Sequence, residues 1–215
     1  LDLPTDCPQR ERAGWTGDAQ VFTPSASFLM DTRAFFRKWL KELTIEQFAN
    51  GMVGNFVPNP YRLVKGGFLP RVLSMVDGSC GWGDAATIMP WALYQAYGDK
   101  QLLENQYESM KAWVDYLKGR AAKKNWSKNI NPGYLLDEER RACQHLIWET
   151  NYDWGEWLDP GDSGPVKMFG GIFKRLFFGA PVVASAYFAY STRILAQTAE
   201  VMGKTKDAAK YHALA

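Results

Sequence analysis

A chain of 215 residues with 47% apolar and 22% charged side chains and a mean hydropathy of −0.31 is long enough to bury its own core, and its composition argues against disorder and against a membrane span of about 18 or more apolar residues. The 25 basic and 23 acidic side chains leave a net charge of +2, so neither nucleic acid nor any other polyanion is written into the charge as a partner. Cys7, Cys80 and Cys143 are widely spaced and read as small buried thiols, and with only two histidines, His145 and His212, no disulfide framework, multi-His metal site or cofactor is implied. What the composition does favour is aromatic surface: 9 Trp, 10 Tyr and 12 Phe make up 14% of the chain, enough for an unusually aromatic core or binding cleft.

The first twenty residues, with Pro4, Pro8, Gly14 and Gly17, read as an ordered loop. Thr23 as N-cap and Pro24 at the first helical position then predict a helix start, and Leu29, Phe36, Leu40 and Leu43 continue it at helical spacing. Thr44 with Gln47 has the form of a capping box for a short following turn. Residues 50–79 are rich in Gly and Pro and read as loop, with an extended run over 68–75 that suits a short strand pair.

Trp82-Gly83-Asp84 introduces the next helix, where Asp84 can cap and Pro90 either opens the helix proper or kinks it. Gly98-Asp99 ends that helix, and Leu103, Tyr107, Met110, Val114 and Leu117 form one apolar face of the next, which runs into a basic stretch over 118–128. The pair predicts an αα-hairpin. A second long loop, 129–169, carries Trp148, Trp154 and Trp157 among Asp and Gly. Residues 181–202 read as a buried helix, apolar on nearly all sides in its first half.

A weak internal repeat aligns Tyr97-Gly98-Asp99-Lys100 through Tyr107 with Met202-Gly203-Lys204-Thr205 through Tyr211, each glycine closing one helix and opening another. Helical hairpins alternating with long loops predict an all-α fold, an α/α toroid whose loops build a cleft at one end. Five or six helices are about half of a twelve-helix ring. The start at Leu1 and the end at Ala215, inside a helical pattern, are expected of a portion of a longer protein, and no signal peptide fixes a compartment.

The chemistry concentrates in the run from Asp6 to Gln20, which puts Asp6, Glu11 and Asp18 together with Arg10, Arg12 and Trp15 on one bent loop. Crowded carboxylates raise the pKa of one of them, the condition for a general acid near neutral pH, while the others accept hydrogen bonds from sugar hydroxyls. An indole packs against the C–H face of a sugar ring. Trp82 beside Asp84, and Trp154 and Trp157 beside Asp153 and Glu156, repeat the pairing of acid and indole, so three loops are placed to line one cleft.

The string Asp6-Cys7-Pro8-Gln9-Arg10-Glu11-Arg12-Ala13-Gly14-Trp15-Thr16-Gly17-Asp18 resembles the signature of the bacterial α-L-rhamnosidases of glycoside hydrolase family 78. The likeness extends through Trp82-Gly83-Asp84-Ala85, the hairpin around Gly98-Asp99 and Gly155-Glu156-Trp157 to essentially the whole chain. It implies an (α/α)6 barrel, with residues 1–215 as the N-terminal part of the six-hairpin catalytic domain, and an inverting hydrolysis of terminal α-L-rhamnosides without metal or organic cofactor. By that resemblance Glu11 corresponds to the general acid and Asp6 and Asp18 to acids that hold the rhamnose hydroxyls, while Arg10, Trp15, Trp82 and Trp157 match cleft positions; Asp84 is added as a substrate-binding acid.

An inverting enzyme needs a second carboxylate about 6.5–9.5 Å across the sugar. The resemblance puts that base beyond residue 215, and Glu149 and Glu156 are the candidates within the chain. The partner expected is a rhamnose-containing glycoside or polysaccharide, with neither nucleic acid nor membrane, and an apolar 181–202 helix at an open ring edge predicts dimerisation or aggregation of the chain alone. Two other readings stay open at this point: an α/α-toroid glycosidase of different sugar specificity, and a non-catalytic carbohydrate-binding homologue.

Overall fold

The computed structural model describes residues 3–10, 12–59, 77–123, 143–148, 154 and 181–215. Helix α1 (Thr16–Leu29) starts eight residues before the position that Thr23 and Pro24 suggest. Its start is set by tertiary contacts: Trp15 is extended and forms an antiparallel bridge with Phe56, and Thr16 donates its N–H to Asn55 O at 2.9 Å. Thr23 lies inside the helix, where its hydroxyl donates to Ala19 O at 2.7 Å, and Pro24 is also internal.

The predicted single helix is two. The chain turns extended at Met30, and α2 (Arg33–Glu46) begins after Asp31, which accepts the Arg33 N–H at 3.1 Å. Phe36, Leu40 and Leu43 are buried as the spacing requires, but Leu29 is exposed, because the seven-residue step from Leu29 to Phe36 hides a chain break as easily as two helical turns. Thr44 and Gln47 form no capping box: the Thr44 hydroxyl donates back to Leu40 O at 3.0 Å, and Gln47 Nε2 ends α2 by donating to Gly51 O at 2.9 Å and Ser109 O at 3.1 Å. The extended run 68–75 lies outside the described residues, as does most of the loop 129–169; within the latter, Gln144–Leu146 form a 3-10 turn.

The predicted hairpin is present as α3 (Ala85–Tyr97) and α4 (Lys100–Ala121). Gly98 ends α3 in the left-handed region at φ 67, and Asp99 caps α4 by accepting the Leu102 N–H at 3.1 Å. Pro90 is accommodated within α3. The repeat recurs in α5 (Pro181–Val201) and α6 (Thr205–His212), joined at Gly203 with φ 72. Tyr107 and Tyr211, the matched aromatics, are both buried, and Tyr107 Oη donates to Asp207 Oδ2 at 2.7 Å, tying α4 to α6.

Helix α3 is central, packed against α1, α2, α4 and α5, with α6 laid on α5. These six α-helices among the described residues form two layers of paired helices, a portion of an α/α toroid. Its core holds Trp39, Trp113 and Trp148, all fully buried. Helix α5 departs from the expectation of burial: Val182 and Tyr190, eight residues apart on one face, are exposed, while Ala184, Phe188, Ile194 and Leu195 turn inward. Of the thiols, Cys80 is buried, Cys7 half-buried and Cys143 exposed, the last against expectation.

Candidate functional site

An open cleft of about 750 Å³ lies where the 4–6 segment, the first turns of α1, the turn at 80–82 and the start of α5 converge. That volume falls within the usual range of small-molecule sites, about 300–1,000 Å³. Asp6, Asp18, Phe22, Trp82 and Tyr187 are among its walls.

Asp6 is held by its backbone, whose N–H donates to Ala13 O at 3.2 Å and closes the bend 6–13. Inside that bend Arg10 and Arg12 both donate their N–H groups to Cys7 O, and Arg12 takes a left-handed backbone at φ 54 while its Nε donates to Pro8 O at 2.8 Å. A non-glycine residue in that region is strained and persists only where its surroundings fix it. The Asp6 side chain is only 6% exposed; one oxygen lies 3.6 Å from the Arg10 guanidinium, and the other, Oδ1, is buried without a hydrogen-bond partner among the described residues. A buried carboxylate oxygen left unmatched is costly, and a ligand donor would satisfy it.

Asp18 stands in the first turn of α1, exposed on the cleft wall, where its charge complements the helix N-terminus. Trp82 forms a second wall. Its ring is pressed against Gly17: a Cβ there would sit 2.9 Å from the indole Cε2 and Nε1, so this contact requires glycine. The Trp82 Nε1 is buried, again without a partner among the described residues. Trp15 sits behind the wall, half-buried, 4.0 Å from the Phe56 ring centroid and 5.9 Å from that of Trp154, which in turn lies 5.6 Å from Trp82. Three indoles thus form one connected platform.

The structure therefore brings Asp6, Asp18 and Trp82 to one cleft and places Trp15 behind it. Arg10 is exposed, and its guanidinium lies 3.6 Å from Asp6 of the cleft. Glu11, Trp157, Glu149 and Glu156 lie outside the described residues.

Asp84 does not reach the cleft. It is fully buried and accepts hydrogen bonds from Gly81 N–H at 2.7 Å, Trp113 Nε1 at 2.9 Å and the Ser191 hydroxyl. Burial pushes its carboxyl up to about 6 despite these three donors. It also makes no side-chain cap for α3. The expectation of a substrate-binding acid fails because the residues that enclose it come from α4 and α5, far away in sequence.

Several wall residues escape the sequence reading. Tyr187 and Val183 come from the apolar helix α5, one turn apart, and Phe22 and Val21 from α1. Burial, and then the nearby Asp84 charge, hold the Tyr187 phenol above its ordinary pKa. Trp154, packed against Trp82 and Trp15, carried a signal in its place in an acid and indole run. Among the described residues no group of three or more His, Cys, Asp and Glu is placed to hold a metal, and no helix is long and apolar enough to cross a membrane.

Residues 1–215 match the family model of the bacterial alpha-L-rhamnosidase 6 hairpin glycosidase domain. An alpha-L-rhamnosidase of Formosa agariphila is 35% identical over 216 residues, spanning 100% of this chain and 19% of the relative. One from Streptomyces avermitilis is 34% identical over 212 residues, 98% of this chain and 16% of the relative. Among solved structures, the Streptomyces avermitilis alpha-L-rhamnosidase complexed with L-rhamnose matches with a TM-score of 0.69 at 34% identity, over 100% of this chain and 16% of that one. The alpha-L-rhamnosidase from Dictyoglumus thermophilum matches with a TM-score of 0.70 at 28% identity, over 100% and 19%. The chain spans less than about a fifth of the length of these relatives.

Proposed function

The chain belongs to the bacterial α-L-rhamnosidase six-hairpin glycosidase family, and from that membership we propose that it forms the N-terminal part of a catalytic domain that releases terminal α-L-rhamnose from glycosides or polysaccharides. In this reading the 750 Å³ cleft holds the sugar. Asp6 Oδ1 and the Asp18 carboxylate accept hydrogen bonds from its hydroxyls. The Trp82 ring packs on a C–H face. A 6-deoxy sugar suits the site because its methyl group gives Trp82, Phe22 and Tyr187 an apolar end to cover.

Glu11, which stands between Arg10 and Arg12 in the sequence, is the general acid of this proposal. Its proton passes to the glycosidic oxygen as the bond from that oxygen to the anomeric carbon breaks, and the leaving group departs as a neutral alcohol. Water bonds to the anomeric carbon from the opposite face, and its proton passes to a carboxylate contributed by the longer polypeptide. The sugar is released as β-L-rhamnose. No step calls for a metal or an organic cofactor.

The observation that carries the proposal is the buried Asp6 oxygen, without a hydrogen-bond partner among the described residues, in the cleft of a chain whose whole length matches this family. Glu11→Gln in the whole protein is expected to lower release of rhamnose from an aryl α-L-rhamnoside by about 10²–10⁴-fold. Undiminished turnover refutes the assignment of Glu11. Proton NMR of the first product distinguishes the stereochemistry: β-rhamnose supports inversion and α-rhamnose rejects it.

A further inference from the structure

The Gly81 peptide is gripped at both polar ends by side chains from different places in the fold. Its N–H donates to Asp84 Oδ2 at 2.7 Å, and its carbonyl accepts from Gln20 Nε2 of α1. Asp84 is fixed at its other oxygen by Trp113 of α4 at 2.9 Å and by Ser191 of α5, whose hydroxyl lies 2.6 Å from Thr87 Oγ1 of α3. Gln20, Asp84, Thr87, Trp113 and Ser191 are all buried. The peptide they enclose is left-handed at φ 82, and the position of a Cβ on Gly81 would be 3.5 Å from the Tyr187 ring. Both backbone polar groups of Gly81 are thus held, and the next residue is the cleft indole Trp82.

We propose that Asp84 and Gln20 are positioning residues that clamp the Gly81 peptide and so aim the Trp82 ring into the cleft. The side chain of Trp82 is a long lever on a glycine hinge. A small rotation at Gly81 carries the far edge of the ring by roughly 1 Å, a displacement large enough to matter to a stacked ligand. Gly17 bounds the ring from the α1 side, where a Cβ would already sit 2.9 Å from the indole, so a released turn swings toward the open cleft. The buried network gathers α1, α3, α4 and α5 at one point, and the consequence falls on sugar binding more than on bond cleavage. This inference rests on the reading of the cleft as a sugar site.

The test uses the whole protein. Asp84→Asn keeps the side-chain shape but replaces an accepting oxygen with a donating amide. A crystal structure of this variant is expected to show the Gly81-Trp82 turn displaced. KM for an aryl α-L-rhamnoside should rise about tenfold while kcat changes by less than about threefold. In a Trp82→Ala background the same substitution should add nothing further to KM, a non-additivity that general destabilisation would not produce. Should Asp84→Asn not fold, Gln20→Ala releases the other end of the peptide and is expected to give the same KM pattern. An unmoved turn in Asp84→Asn, KM penalties that multiply with Trp82→Ala, or a folded Gln20→Ala with wild-type KM overturns the proposal. Wild-type protein that neither binds L-rhamnose by calorimetry nor cleaves a rhamnoside overturns the sugar reading instead, and the position of the turn in Asp84→Asn still decides the clamp.

Discussion

Gly83→Ala isolates the packing beneath the cleft wall. A methyl at residue 83 would sit 2.2 Å from Trp113 Cη2, 2.6 Å from Cζ3 and 2.7 Å from Cζ2, against a normal carbon separation of about 3.5–4.0 Å, so the ring must retreat by more than 1 Å. Trp113 has little room to do so. It is fully buried, stacked on Tyr116 at 5.4 Å between centroids, and bonded through Nε1 to Asp84 at 2.9 Å. Overpacking of this kind costs about 1–3 kcal/mol, and loss of a hydrogen bond to a buried carboxylate about 1.5–3 kcal/mol more. Together the penalty is about 2.5–6 kcal/mol, a large part of the stability of a typical domain. Gly83 does not share the positive φ of Gly78, Gly81 and Gly98, so the cost is steric. Gly98→Ala is the control: nothing lies within 4 Å of its Cβ position, and only the left-handed φ of 67 is penalised, by about 1–2 kcal/mol. Urea denaturation of the two variants measures both. The reasoning is refuted if Gly83→Ala loses no more stability than Gly98→Ala, or if Trp113→Phe, which removes the atoms in the way, fails to relieve part of the loss.

Two further outcomes follow from the same region. Burial raises the Asp84 carboxyl from 3.8 to about 6, so the native state binds its proton more tightly than the unfolded chain does. The associated stability is complete below about pH 4, is lost as pH rises toward about 6, and amounts to about 3 kcal/mol. The difference in unfolding free energy between wild type and Asp84→Asn should therefore slope across this window, and a flat difference contradicts the buried carboxyl. Asp31, held down to about 2 by Arg33, titrates below that range. Gly17→Ala forces the Trp82 indole away from a contact at 2.9 Å; KM for an aryl α-L-rhamnoside is expected to rise about tenfold with kcat little changed, and an unaltered KM would show that the ring position is immaterial to binding.

The hairpin α3 and α4 was legible in the sequence because its punctuation is local. Gly98 supplies the left-handed residue, Asp99 caps its own helix, and the spacing of Leu103, Tyr107, Met110, Val114 and Leu117 fixes the buried face. The start of α1 was not legible, since Trp15 and Thr16 are ordered by Phe56 and Asn55, some forty residues on. The same contrast governs the site. The bend that carries Asp6 shows in its prolines and glycine, whereas Asp18 falls in the first turn of α1, where the same run reads as loop. Nothing local shows that Asp84 meets Trp113 and Ser191, which are 29 and 107 residues away.

The aromatic excess divides by where the fold places each indole. Trp39 and Trp113 are core, and each N–H finds a fixed acceptor, Val57 O and Asp84 Oδ1, both at 2.9 Å. Trp82 combines a buried Nε1 without a described partner with a place on the cleft wall. Composition counts these three rings alike. Whether an indole fills the core or faces the cleft is set by contacts from other elements rather than by the residues beside each tryptophan, and the N–H alone does not separate the two, because core Trp148 also has a buried Nε1 without a partner among the described residues.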